Sequence, residues 1–192
     1  MKRLFLAALA LTALAAPAAA QQAHREGWWV EASGGYGYLR VGTQSQQVRR
    51  QVGVSGYLRG GRQLGRNVSL GLELSAYTGD TDTVTTHVGG LHAIAVFNPW
   101  GNIPLFLSGG VGVSDGRVQV GLPVNQVYEA KGTGVGLDFG AAYDIRVGQR
   151  FAITPSVSAH ISALGDFIFS PTQKADDVIA TVYQVGVGIT WR

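Results

Sequence analysis

VIATVYQVGVGITWR, residues 178–192, is the stretch that decides the fold. Every second residue forms one set: Ile179, Thr181, Tyr183, Val185, Val187, Ile189 and Trp191. The other set is Ala180, Val182, Gln184, Gly186, Gly188 and Thr190. A period of two is a strand signature, because successive side chains point to opposite faces. Here the large apolar set ends in an aromatic, and the opposite set is small or polar. A strand lying on a water-soluble core would carry a polar outer face. This one suits an outer face in lipid and an inner face in a narrow lumen.

Working back from this stretch, seven more segments alternate in the same way, at 27–41, 50–63, 68–78, 84–98, 103–114, 131–147 and 151–164. In the third, Val68, Leu70, Leu72, Leu74 and Ala76 oppose Ser69, Gly71, Glu73, Ser75 and Tyr77. In the sixth, Val135, Leu137 and Phe139 oppose Gly134, Gly136 and Asp138. The fourth is ambiguous, since Leu91 and Phe97 sit opposite Val88, Ile94 and Val96. Turns are expected at 64–67, 99–102 and 148–150, and longer polar loops at 79–83, 115–130 and 165–177. Short and long connections thus alternate, as in an even-numbered barrel with both ends of the chain on the periplasmic side. Most segments run about ten residues, near the length that crosses a bilayer at a tilt. Soluble strands average roughly five or six.

The N-terminus reads as a secretory signal. Lys2 and Arg3 precede an apolar run, and Ala18-Ala19-Ala20 places cleavage after Ala20. The expected domains are therefore a signal peptide, 1–20, and a barrel, 21–192. Without Lys2 and Arg3, the 15 basic residues fall to 13, against 12 acidic ones. That near-neutral balance gives no reason to expect a nucleic-acid partner. With no cysteine, a disulfide framework is excluded. No later stretch is long and apolar enough for a membrane-spanning helix.

Strands in lipid must satisfy every backbone N–H and C=O, so an open edge is untenable and the sheet must close. The reading is all-β: an eight-stranded antiparallel up-and-down transmembrane barrel. The signal peptide, the strand count, PLFLSGGVGVS at 104–114 and the aromatic closing strand carry a resemblance to a known family. The chain is similar to the small eight-stranded outer-membrane barrels, the transmembrane barrel of outer-membrane protein A and its short-loop relatives. Arg192 after Trp191 departs from the commoner terminal aromatic. The resemblance implies a Gram-negative outer membrane as location and lipopolysaccharide as a neighbour. It also implies recognition of 178–192 by barrel-assembly machinery, and no periplasmic domain after the eighth strand.

By parity Glu31, Arg59, Glu73 and Asp138 point inward. A lone charge in a dry lumen is very costly, so these four should neutralise one another around Arg59. The structural reading is a salt-bridge network that fills the lumen, and the functional one is an ion path or gate. AHISALG at 159–165 resembles the His-x-Ser stretch of outer-membrane lipid A deacylases, which would make His160 and Ser162 a base and nucleophile. Ala163 stands where that family has Asn, and parity turns both residues inward. His24, His87 and His92 show no metal-like spacing. Trp28, Tyr36, Tyr38, Trp100, Phe151 and Trp191 fall near strand ends and suit interfacial girdles. Loop groups at Asp80, Asp82, Asp115, Arg117, Glu129, Lys174, Asp176 and Asp177 are where a surface partner would bind.

The expected function is a non-enzymatic envelope barrel with no cofactor and no metal, and a surface partner for its loops. The alternatives are a lipid A-modifying hydrolase, a small channel and a lipocalin-like ligand-binding barrel. The facing of Leu70, Leu72, Leu74, Val185, Val187 and Ile189 separates membrane barrel from soluble one.

Overall fold

A computed structural model describes residues 27–43, 46–81, 83–101, 103–121, 127–165, 167–170, 173–175 and 178–192. The expected signal peptide and Asp82, Asp176 and Asp177 lie outside these. Eleven strands follow in order: β1 (Trp28–Thr43), β2 (Gln46–Gln63), β3 (Val68–Thr81), β4 (Val84–Phe97), β5 (Leu105–Gly121), β6 (Val127–Tyr143), β7 (Ile145–Arg146), β8 (Phe151–Ala163), β9 (Phe167–Ser170), β10 (Gln173–Ala175) and β11 (Ile179–Trp191). The eight long ones pair with their sequence neighbours, all antiparallel. β11 pairs with both β8 and β1, which closes the sheet.

The register fixes the shape. One row of opposed residues can be followed around the barrel: Glu31, Arg59, Glu73, His92, Gly112, Gly136, Ser162, Ala180 and back to β1 at Val41. The row returns 10 residues above its start, Glu31 to Val41. For eight strands a stagger of this size implies a tilt of roughly 35–45° and an interior just wide enough for side chains.

The apolar halves of the strands face out. Leu70, Leu72 and Leu74 on β3 and Val185, Val187 and Ile189 on β11 are all exposed. Val135, Leu137 and Phe139 on β6 share that facing. An outer surface of aliphatics is unfavourable in water, where about 25 cal/mol per Å² is lost, and is the ordinary state in hydrocarbon.

The interior is layered. Near the end formed by the 64–67, 98–104 and 147–150 turns, Trp29, Ile94, Val96 and Phe106 pack together, all buried. Near the other end, Leu39, Tyr77, Val88, Ala130, Leu164 and Val182 form a second buried cluster. Between the two lies a polar belt. The sequence led us to expect small and polar groups throughout the lumen, and the two apolar layers correct this. They also settle the ambiguous fourth segment. On β4, Val88, His92, Ile94 and Val96 face inward, while Leu91 and Phe97 face out. The larger aliphatic set turned inward because it completes both layers.

The connections differ from expectation in form. Residues 115–130, expected as a long loop into which the strands could extend, carry such extensions: β5 and β6 stay paired up to Gly121 and Val127. The polar stretch 79–83 is likewise mostly paired, with Thr81 opposite Val84. The external excursions are thus strand hairpins that continue the alternation, with Val84 and Ala130 buried on the inner face and Asp80, Arg117 and Glu129 exposed on the outer one. Within 165–177 a small β9–β10 hairpin forms. The sixth segment breaks at Asp144, whose carboxylate accepts a 2.8 Å hydrogen bond from Thr154 and pairs with Arg192. At the turn following β4, Asn98 Oδ1 accepts from the Gly101 N–H at 2.7 Å, and Gly101 takes a positive φ of 61° that suits glycine.

Leu72→Lys places an ammonium on the outer face of β3. In lipid this should cost about 2–4 kcal/mol if the site lies near the bilayer midplane. Reversible urea unfolding in bilayers of defined thickness measures it, and a neutral result would contradict a lipid-facing β3.

Candidate functional site

The belt is assembled by register. Glu31 on β1 lies opposite Arg59 on β2, Arg59 opposite Glu73 on β3, and Glu73 opposite His92 on β4. Across the lumen, Asp138 on β6 lies opposite His160 on β8. All six side chains are buried.

Arg59 grips Glu31 as a fork. Its Nε donates to Oε2 at 3.1 Å, and Nη2 donates to Oε1 at 3.0 Å. Paired donors on one carboxylate make a strong, directional contact. Tyr57 O–H donates to the same carboxylate at 2.7 Å, and the Arg59 guanidinium lies 4.6 Å from the Tyr57 ring centre. Arg59 Nη1 is 3.8 Å from Glu73 Oε2. Asp138 joins the belt through His160, whose Nδ1 lies 3.3 Å from Asp138 Oδ2, and not through Arg59. Arg59 therefore centres only one half of the network expected from the sequence.

His92 and His160 meet edge to face, with ring centres 4.4 Å apart. Glycines make room for them. A Cβ on Gly90 would lie 2.9 Å from His92 Nε2 and 3.0 Å from His160 Nε2, and one on Gly136 would collide with both Ser114 and His92. One donor atom from each of Glu73, His92 and His160 falls within 4.8 Å of the others. The linear spacing of the histidines hid this cluster, because His160 reaches it from β8, far in sequence from the paired β3 and β4 that carry Glu73 and His92. Parity gave no signal for His92, because the facing of the fourth segment was ambiguous in the sequence.

Ser162 is fully buried on the lumen side, and its Oγ has no hydrogen-bond partner among the described residues. His160 is engaged with Asp138 and, at 3.4 Å, with Ser75. The two residues share a face without forming a Ser–His hydrogen bond.

A closed eight-stranded barrel with an apolar exterior is the architecture of an outer-membrane protein, and comparison with known proteins agrees. Residues 6–190 match the family described as outer membrane protein beta-barrel domain. The chain belongs to that family. Among solved structures it resembles Ail, the attachment invasion locus protein of Yersinia pestis, with a TM-score of 0.59 and 16% identity over 86% of this chain and 99% of that one. It also resembles Neisserial surface protein A, with a TM-score of 0.55 and 15% identity over 86% and 97%. At such identities the likeness concerns the fold. No curated protein sequence matches the chain significantly.

On this outer-membrane barrel, Trp28, Phe151 and Trp191 stand exposed at the periplasmic ends of β1, β8 and β11, and Trp100 is exposed in the nearby turn. Tyr36 is exposed and Tyr38 half-buried, further up β1. The ten-residue step from Trp28 to Tyr38 spans roughly 33 Å of strand at about 3.3 Å per residue. At the tilt above this projects to about 25 Å, the height of an outer-membrane apolar band. Of the polar groups expected on loops, Asp115, Arg117 and Glu129 sit on the β5–β6 hairpin, Asp80 is the penultimate residue of β3, and Lys174 is on β10. Arg117 pairs with Glu129 at 2.9 Å, and Lys131 approaches the same carboxylate at 3.4 Å. These are exposed pairs of small energetic weight.

Arg59→Ala would leave Glu31 buried without its cation. We expect a loss of about 3–5 kcal/mol in unfolding free energy. The double variant Arg59→Met with Glu31→Gln should recover much of it. Denaturation midpoints of the three proteins test this, and equal losses in single and double variants would refute the pairing as the cause.

Proposed function

We propose that this protein is a non-enzymatic outer-membrane barrel whose lumen is closed, serving envelope integrity while its external hairpins meet surface partners. The observation that carries the reading is the layering of the lumen. Trp29, Ile94, Val96 and Phe106 pack below the charged belt, and Leu39, Val88 and Val182 pack above it. An ion crossing either layer would shed its water among aliphatic and aromatic groups, at a cost of many kcal/mol. This argues against conduction. It equally argues against a lipocalin-like cavity, which needs open apolar volume.

The hydrolase reading has less support. A lipid-cleaving pair has to reach acyl chains, and His160 and Ser162 face the interior of the barrel. The belt is read here as structural, with Glu31, Arg59, Glu73 and Asp138 holding the lumen together. The exposed aromatics Trp28, Tyr36, Trp100, Phe151 and Trp191, with the half-buried Tyr38, are read as the two interfacial girdles. The mature chain is proposed to start at Gln21, after cleavage of the leader.

Lipopolysaccharide is the proposed lipid neighbour. Above the aliphatic zone Arg40, Arg50, Arg117 and Lys131 are exposed near the external end. Arg40 lies opposite Arg50, and Arg117 opposite Lys131. Like charges placed side by side repel unless an anion lies between them; Glu129 already supplies one to Arg117 and Lys131, and a lipid A phosphate would supply one to Arg40 and Arg50. Strand 178–192 is the proposed signal to the assembly machinery.

Two measurements test the closed, non-enzymatic reading. Purified protein in planar bilayers should show no discrete conductance steps, and lipopolysaccharide incubated with it should keep its mass. Regular single-channel openings would overturn the closed lumen, and a deacylated product would overturn the absence of catalysis.

A further inference from the structure

We propose that the lumen holds one divalent transition-metal ion, with zinc the best match, bound by Glu73, His92 and His160. The first argument is charge. Among the described residues of the belt, Glu31, Glu73 and Asp138 are buried carboxylates and Arg59 is the one buried guanidinium. Three acids against one base leave a formal excess of two negative charges between two apolar layers. Buried charge in that setting requires a counter-charge. Arg59 is spent on Glu31, which it holds with three contacts at 3.0–3.1 Å, and reaches Glu73 only at 3.8 Å. Glu73 lies opposite His92 and Asp138 opposite His160, so the two remaining carboxyl groups gather at the histidines.

The second argument is the donor set. Two imidazoles and a carboxylate, with no thiolate, suit zinc, which takes three such ligands and a water. The three donor atoms lie within 4.8 Å of one another. Bound zinc sits about 2.0–2.2 Å from nitrogen and oxygen ligands, so small side-chain rotations would close the set. His92 Nδ1 has no hydrogen-bond partner among the described residues, and its Nε2 has a 3.4 Å contact with Ser114. A fully buried imidazole so weakly engaged is costly unless another ligand takes its lone pair.

The third argument is the support around the ligands. His160 Nδ1 faces the Asp138 carboxylate at 3.3 Å, which leaves Nε2 to carry the lone pair. A carboxylate behind a histidine is the usual way a metal-binding imidazole is oriented. A cavity of about 20 Å³, lined in part by Glu73, Ser75, Asp138 and His160, offers room for the fourth ligand, a water. Gly90 and Gly136 keep the space beside both rings clear. With an apolar layer at each end, the ion enters as the barrel folds.

The test uses untagged mature barrel, refolded into detergent with zinc chloride or with a chelator, then washed and analysed for metal by mass spectrometry. We expect one zinc per barrel when zinc is present during folding. Refolding with cobalt should give the visible absorption of a tetrahedral site. His92→Phe and His160→Phe should each lose the bound ion, Asp138→Asn should weaken retention by about 10–100-fold, and His87→Ala, on the outer face, should bind as the parent does. Heat-modifiable migration on gels verifies that each variant is folded. The parent barrel alone is decisive if a variant does not fold: folded parent without stoichiometric zinc, its excess charge then met by protons, overturns the proposal. Zinc retained by folded His92→Phe or His160→Phe overturns the assignment of ligands.

Discussion

Everything in this molecule depends on the hydrogen-bonded seam between β11 and its two neighbours, β8 and β1. In water an open sheet can leave its edges to solvent. In hydrocarbon each unpaired backbone group costs several kcal/mol, so the seam is a condition of residence in the membrane. Closure at eight strands with a ten-residue stagger then limits the lumen to side chains. What the protein can do inside is decided by which side chains fill that width.

The filling is a charged belt between apolar layers, and the register explains why charge is tolerated there. A well-packed apolar interior would often be as stable as a buried ion pair or more so. The belt offers specificity in return. Glu31, Arg59, Glu73 and His92 lie directly opposite one another on four consecutive strands. Slipping any of these strands by one residue would drive a charge into lipid. Slipping by two would keep the facing and separate every pair. The apolar layers, made of interchangeable aliphatics, could not impose such a penalty.

The outer half of the design was legible in the sequence and the inner half only partly so. Lipid-facing residues announce themselves because hydrocarbon accepts one chemistry, and Leu70, Leu72 and Leu74 obey it without exception. The lumen accepts several chemistries. Ile94 and Trp29 face inward as readily as Ser55 or Glu31, so parity alone could not place the fourth segment. The Glu73–His92–His160 cluster was hidden for another reason. Its members are brought together by stagger around a barrel, and stagger is a property of pairing that no single strand carries. At 115–130 the sequence allowed strand extensions into a long loop but not their extent, because how far two strands stay paired is set by register between them.

These contrasts bear on where the protein's variable chemistry resides. Core and outer face are each bound by a severe rule: the narrow interior is packed, and the outer face of the spanning zone is predominantly apolar. The hairpin β5–β6 still packs its inner face, with Ala130 in the buried cluster and Val118 against it, and only its outer face, which carries Arg117, Glu129 and Lys131, is bound by neither. Its backbone is nonetheless ordered by continued pairing, so Arg117, Glu129 and Lys131 are displayed on a stiff support at little entropic cost. Exposed ion pairs of this kind add little to stability. The charges there are free to be chosen for what they contact, and a surface partner would read them on a frame that the membrane-spanning strands keep fixed.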